Sequence, residues 1–198
     1  MTGRHILADL AGFVVIAAYL PYIRAILKKR ATPEKASWLI WAVIDSLLLY
    51  GMFVRHVVNG QILGTVAVIW IVAALALFDG EAGWSRVDKV CLTSTVVGLI
   101  LIIVNPTWSI VLLAITSFVG AIPTFYSTWR DPTREVRVTW AMYWVSCVLT
   151  VIAIPAWSVS AGAQPISFLI VQTTMVYLLF VRPHRDMRPE HNRASRTS

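Results

Sequence analysis

Residues 62–78 read ILGTVAVIWIVAALALF, a run of 17 residues that contains no charged side chain. As an α-helix this run is about 26 Å long, close to the roughly 30 Å hydrocarbon core of a bilayer. Six further apolar runs account for most of the chain. All seven runs span residues 6–27, 36–54, 62–78, 90–104, 107–129, 138–160 and 165–181. The sequence therefore predicts an all-α integral membrane protein with seven transmembrane helices.

The composition supports this class and excludes others. Of the 198 residues, 58% are hydrophobic and only 14% are charged, and the mean hydropathy is +0.71. A soluble domain needs about a quarter of charged residues to coat its surface, so these values exclude one. Cys91 and Cys147 both lie inside apolar runs, where we interpret them as small hydrophobic side chains rather than as a disulfide.

The basic residues are concentrated in alternate loops. Fifteen of the 17 Lys and Arg residues fall in residues 24–35, 86–89, 130–137 and 182–196. The positive-inside rule then places the N-terminus outside and the C-terminus in the cytoplasm. We interpret residues 183–198 as a disordered basic cytoplasmic tail. Compact loops and the lack of a glycosylation sequon favour a bacterial inner (cytoplasmic) membrane, and the net charge of +7 is explained without nucleic acid.

A shift of 102 residues superposes the first three runs on the last three. Pro21 then matches Pro123, Trp38 matches Trp140, and each proline is followed by a basic loop. Three helices form an odd unit, so one additional span makes the two copies parallel. We therefore divide the chain into a first three-helix repeat (1–79), a loop and linker helix (80–104), a second three-helix repeat (105–182) and the tail (183–198).

The segments Pro21-Tyr22 with ATPEKASWLIW from Ala31, and Pro123-Thr124 with DPTREVRVTWAMYW from Asp131, resemble the PQ-loop superfamily, which includes the SWEET sugar transporters. Tyr22 and Thr124 stand where that family has Gln. The resemblance implies a 3+1+3 bundle and movement of a small solute by alternating access. It also implies an Asn on the third and on the seventh helix. Asn59 and Gln164 are the nearest counterparts, and we do not transfer that role to them.

Pro21 and Pro123 are the candidate hinges. Each proline removes a helical N–H and frees the carbonyl four residues earlier. Prolines are also common in membrane helices as simple kinks. Because the two prolines lie at matching positions, a hinge role in alternating access and a purely structural kink are equally favoured.

Asp45 is the candidate proton-coupling residue and a candidate contact to solute. It lies near the middle of the second run, and intramembrane carboxylates usually face a cavity or a partner. The alternative is a buried carboxylate that is hydrogen-bonded for stability, for example to Ser46.

Four more residues are candidate solute contacts. Trp70 and Gln172 match under the 102-residue shift and fall at mid-depth of the third and seventh runs, and Thr116 and Ser117 belong to the fifth run. An indole and an amide across a central cavity suit a polar or ring-shaped solute. The alternative is that these side chains only join helices. We assign the other Trp residues to an aromatic belt at the membrane interfaces.

These patterns predict a transporter of a small polar solute, sugar-like or vitamin-like, with or without proton coupling. A receptor or assembly partner with the same bundle is the alternative. No catalytic motif or metal-ligand spacing is recognisable in the sequence, so we expect neither an enzyme nor a cofactor or metal site. The expected partners are a small-molecule solute and the lipid bilayer, with no nucleic acid and with homo-oligomerisation left open.

Overall fold

A computed structural model describes residues 3–31, 33–80 and 83–182 of the chain, without the side chain of Arg134. The described part consists of helices and short connections. The helices are α1 (Gly3–Leu27), α2 (Lys35–Val54), α3 (Gly60–Asp79), α4 (Arg86–Val104), α5 (Pro106–Gly120), α6 (Ile122–Arg130), α7 (Arg137–Ala153) and α8 (Val159–Val176). A 3₁₀ turn covers Pro132–Arg134, and one π-helical turn, Tyr177–Val181, extends α8.

Six helical segments are long and apolar enough to cross a membrane. They are α1, α2, α3, α4, the segment Pro106–Arg130 formed by α5 and α6, and Val159–Val181. α7 is apolar but has only 17 residues. The all-α class expected from the sequence is thus confirmed for the described residues, and six helical segments are compatible with membrane spans where we expected seven. The predicted tail at 183–198 lies outside the described residues.

The predicted bounds are close to the observed ones except between the last two runs. We expected a helix over 138–160, but α7 ends at Ala153 and α8 begins at Val159. Ile154 precedes Pro155 and has an extended ψ of 115°, as the proline ring requires of the residue before it. Ser158 then caps α8 by accepting the Ala161 N–H at 3.2 Å.

Local sequence also fixes the starts of α3, α4 and α5. Asn59 caps α3 by accepting the Ile62 N–H. Ser85 and Asp88 form a capping box at the start of α4. Asn105 ends α4 and caps α5, so a single residue reverses the chain there.

The helices pack in a pattern that is the same for two sets of three. α3 contacts both α1 and α2, and α8 contacts both α5 and α7. Between the sets, α1 packs against α7 and α2 packs against α5, while α4 lies against α2 and α5. Under the 102-residue shift these two contacts between the sets are equivalent to each other.

The two ends of this bundle differ in character. At one end of the bundle α1, α3 and α6 finish and α2, α4 and α7 begin, and we call this end the basic end. We call the other one the opposite end. At the opposite end α1 and α3 approach very closely. A Cβ atom added to Gly12 would lie only 2.6 Å from the carbonyl oxygen of Gly60. Small residues at such a contact are typical of helix pairs in membranes.

The outer faces of the helices are apolar. Large hydrophobic side chains there include Phe13, Phe78, Ile103 and Val104, which are 71%, 84%, 87% and 75% exposed. A continuous apolar exterior around a helical bundle indicates a lipid environment. Polar side chains are instead found inside the bundle, where they define the candidate site.

Candidate functional site: a cavity between the two sets of helices

A cavity lies in the middle of the bundle, with an empty volume of about 630 Å³ counted to its open mouth. It is lined by side chains from α1, α2, α3, α5, α7 and α8, together with Ala121 at the junction of α5 and α6. Both sets of three helices therefore contribute to one central space.

Aromatic side chains make up half of the described residues that line the cavity. These are Tyr19, Tyr22, Trp38, Trp41, Trp140, Tyr143 and Phe168.

Their rings are in contact in an almost continuous series. Trp38 stacks on Tyr22 with ring centroids 5.1 Å apart and meets Trp41 edge-on at 5.5 Å. Tyr19 lies 6.4 Å from Trp38 and 5.8 Å from Tyr143. These distances fall in the range of favourable aromatic pairs, so the wall is held in place by its own rings.

Three polar side chains in the wall carry buried oxygens that have no hydrogen-bond partner. They are Asp45 Oδ1, Thr139 Oγ1 and Gln172 Oε1, and each residue is less than 8% exposed. Asp45 lies ten residues after the start of α2 and nine before its end, hence about 15 Å deep. Buried polar atoms without partners cost free energy, so an arrangement of three around one space points to an absent ligand or to water.

A second cavity, of about 830 Å³ including its open side, adjoins the first at the basic end. Tyr22, Trp38, Trp41 and Trp140 line both cavities. We call the second cavity the vestibule. Its charged lining consists of Arg30, Glu34 and Glu135, and the Glu135 carboxylate accepts the indole N–H of Trp140 at 2.8 Å.

Buried amides fill the opposite end of the bundle. The Asn59 amide donates to Gln164 at 2.9 Å, Gln164 donates to Gln61 at 3.2 Å, and Gln61 donates to the Cys147 sulfur at 3.0 Å. Thr65 and the Tyr143 hydroxyl, which lie 3.1 Å apart, form a separate contact nearer the cavity, which Tyr143 lines. Gln61 and Gln164 are 0% exposed, so the network separates the cavity from the opposite end.

The structure brings three of the five candidate solute contacts together. Asp45, Gln172 and Ser117 line the cavity. Thr116 does not line it, because its hydroxyl donates to the Leu112 carbonyl within α5 at 2.8 Å. Asp45 is not held by Ser46, whose hydroxyl donates to the Ala42 carbonyl.

The structure places Trp70 outside the cavity, although we expected it to face Gln172. Its side chain is 43% exposed on the outer face of α3, and its N–H donates to the Ser46 hydroxyl at 3.0 Å. The reason is helix rotation: α3 turns Ile69, Val72 and Ala73 inward against its neighbours, so the adjacent Trp70 points away.

The two candidate hinge prolines lie in different local structures. α1 continues through Pro21 without interruption. The segment with Pro123 is broken, since α5 ends at Gly120 and α6 starts at Ile122. Ala121, at this break, is part of the cavity wall. Asn59 and Gln164 bond to each other at the opposite end and do not line the cavity.

Sequence reasoning missed the aromatic wall, because it assigned Trp38, Trp41 and Trp140 to an interfacial belt. A signal was present in the shift of 102 residues. It matches Trp38 with Trp140 and Trp41 with Tyr143, and all four line the cavity. It also matches Ile69 with Val171, another pair in the wall.

No group of three or more His, Cys, Asp or Glu side chains occurs in the described residues in an arrangement that could hold a metal ion. Comparison of the chain with family models, curated proteins and solved structures finds no match. The case for a function therefore depends on the geometry of the cavity.

Proposed function

We propose that this protein is a membrane transporter that moves a small polar solute through the cavity by alternating access. The observation that carries the proposal is the cluster of three unpartnered buried oxygens, Asp45 Oδ1, Thr139 Oγ1 and Gln172 Oε1, in the wall of one central space. A protein that needed only a stable bundle gains nothing from this cost. A solute-binding protein recovers it each time a polar ligand enters.

The helix packing supports a parallel repeat of three helices, with α4 as the linker. α3 lies between α1 and α2 as α8 lies between α5 and α7, and the α1–α7 contact corresponds to the α2–α5 contact. Two like units that meet along two equivalent interfaces are able to rock against each other around the site between them. We propose on this basis the seven-helix 3+1+3 architecture that the resemblance to the PQ-loop superfamily implies.

The state described here is consistent with a carrier that faces the basic end. The vestibule adjoins the cavity on that side, whereas the amide network from Asn59 to Cys147 occupies the opposite side. By the positive-inside rule the basic end is cytoplasmic, which gives an inward-facing carrier in a cell inner membrane. To open outward, the contacts between Gln61 and Gln164 and between Gln61 and Cys147 must break.

Within this mechanism Asp45 is the proton-coupling residue and also contacts the solute, together with Gln172, Thr139 and Ser117. A carboxylate 4% exposed in mid-bundle is favoured in its neutral form unless a cation neutralises it. Pro123 is the stronger hinge candidate, because the helix break beside it borders the cavity. Pro21 is the weaker one, since α1 is continuous there.

Solute flux into proteoliposomes, measured with and without a pH gradient, tests the proposal. Asp45→Asn is expected to abolish the response to the gradient. Asp9→Asn is the matched control, because Asp9 is an exposed carboxylate near the start of α1, far in sequence and depth from the cavity. Equal responses of the parent, Asp45→Asn and Asp9→Asn proteins would contradict proton coupling through Asp45.

A receptor or assembly partner with the same bundle is the competing function. A receptor or assembly partner needs a binding surface, and its function does not require a central cavity that opens to each side of the membrane in turn. The unpartnered groups in the wall therefore favour the transporter, and the accessibility of the cavity from each side of the membrane separates the two.

A further inference from the structure

Asp45 is the one charged residue among the described side chains that line the cavity. None of the described lining residues is a Lys, Arg or His, so this part of the chain places no cation in the wall beside Asp45. The titratable groups around it in the wall are the neutral phenols of Tyr19, Tyr22 and Tyr143. A buried carboxylate without a counter-charge is strongly unfavourable when ionised. The cavity thus holds a carboxyl group whose ionised form becomes favourable when a positive charge enters beside it.

The unpartnered atoms in the wall are all oxygens. Asp45 Oδ1 and the Gln172 carbonyl oxygen are acceptors only, and the Thr139 hydroxyl is able to accept as well as donate. No buried nitrogen of the described residues lacks a partner. The ligand that satisfies this set is one that supplies N–H donors or positive charge.

The aromatic wall adds a second, independent preference for positive charge. Rings of Tyr22, Trp38 and Trp41 contact one another beside Asp45 in the same cavity. The faces of such rings carry partial negative charge, and cages of them bind ammonium groups. Trp is the strongest of the aromatic residues in this interaction, and three Trp residues line this cavity.

From these observations we infer that the cavity binds an organic cation of the ammonium class, with Asp45 as the counter-ion and the Trp38 and Trp41 rings against the cationic group. The inference rests on the proposed function in taking the same cavity as the solute site. It narrows the solute from any small polar molecule to a protonated amine or a quaternary ammonium ion. A sugar-like solute, which carries no charge, leaves the Asp45 carboxylate without a counter-ion.

The test compares cations with uncharged molecules of the same shape. Calorimetric titration of the purified full chain in detergent measures the affinity for choline against 3,3-dimethylbutan-1-ol, and for 2-phenylethylammonium against 2-phenylethanol. We expect at least one cation to bind about tenfold or more tightly than its neutral counterpart. In Asp45→Asn the preference is expected to fall several-fold to the part that the aromatic wall supplies, while Asp9→Asn retains it in full.

The wild-type comparison stands even if Asp45→Asn does not fold, because it requires no variant. Failure of both cations to bind, or equal affinity for cation and neutral counterpart, would overturn the inference. So would a cation preference that is undiminished in a folded Asp45→Asn protein.

A parallel flux measurement separates this inference from the proposed function. Movement of labelled choline or 2-phenylethylammonium into proteoliposomes supports both. If an uncharged polyol moves and neither cation does, the proposed transport function stands and the inference of a cationic solute is overturned. If a cation binds tightly and through Asp45 but no tested solute moves, the inference of a cationic ligand stands and the proposed transport function is overturned.

Discussion

Gln61 of α3 and Gln164 of α8 are joined by a hydrogen bond of 3.2 Å, and both side chains are completely buried. The two residues belong to different sets of three helices, so this contact holds the opposite end of the bundle closed. The Asn59 amide and the Cys147 sulfur extend it on either side. Because each amide is satisfied by its neighbours, the closed end is stable but depends on every member.

A double-mutant cycle tests this dependence. Gln164→Met alone leaves the Gln61 carbonyl and the Asn59 amide without a partner, and a buried unsatisfied group costs about 1–3 kcal/mol. The expected fall in Tm is roughly 2–4 °C for each kcal/mol in a chain of this size. The double variant Gln61→Met/Gln164→Met is expected to be less destabilised than the sum of the single ones, by thermal unfolding in detergent. Strict additivity would contradict the contact.

Two buried carboxylates in this protein are expected to respond oppositely to the same substitution. Asp45 and Asp88 are 4% and 6% exposed, but Asp88 accepts hydrogen bonds from the Ser85 N–H and from the hydroxyls of Ser85 and Ser37. Asp45→Asn removes an unpaired charge and is expected to raise Tm by a few degrees. Asp88→Asn removes acceptors from a capping box and is expected to lower it.

Thermal unfolding of the two variants beside the parent decides this prediction. A lower Tm for Asp45→Asn would mean that a partner stabilises the Asp45 carboxylate. Asp45 would then no longer count among the buried oxygens without a partner, on which the proposed function depends.

The close contact of α1 with α3 predicts a strong effect of one methyl group. In Gly12→Ala the new Cβ would lie 2.6 Å from the Gly60 carbonyl oxygen, so the helices must separate. We expect a fall in Tm of several degrees and a lower yield of folded protein. Gly3→Ala is the matched control, since nothing lies within 4 Å of its Cβ position. Equal Tm values for both variants would contradict the close packing.

Binding of a cation and binding of a proton at Asp45 are expected to exclude each other. The ionised carboxylate attracts a cation and the protonated one does not, so the affinity for a quaternary ammonium ion should increase as the pH rises. The charged residues of the vestibule, Arg30, Glu34 and Glu135, lie on the same route and set a background that Asp45→Asn retains. Calorimetric titration with choline between pH 5 and 9 measures the dependence. An affinity that does not change with pH in the parent, or that changes identically in Asp45→Asn, would contradict the competition.

Much of the fold follows from local properties of the sequence. Long apolar runs, the capping residues and the prolines give the helices and most of their bounds. The exception at residues 154–158 shows what a hydropathy pattern lacks. Ile154 and Trp157 are apolar enough to extend a predicted span. Pro155 nevertheless follows the end of α7, and Ser158 caps the start of α8.

The candidate site is predictable only in part. Asp45 and Gln172 were found because polar residues in apolar runs are costly and therefore conspicuous. The rotation of each helix about its own axis depends on its neighbours, which is why Trp70 was expected inside and lies outside. The same limit hid the aromatic wall, since Trp38 and Trp41 are indistinguishable from belt residues until packing turns them towards one another.

The most direct test of the central claim is the accessibility of the cavity from the two sides of the membrane. Ser117→Cys places one thiol in the wall, in a background in which the buried Cys91 is replaced by Ala and Cys147 by Ser, whose hydroxyl is able to accept the Gln61 N–H. Oriented proteoliposomes are then treated with a membrane-impermeant thiol reagent from either side. A carrier that alternates predicts labelling from the basic end at rest and from both sides in the presence of a transported solute. Labelling from the basic end alone, with every ligand that binds, would identify a fixed pocket and contradict transport.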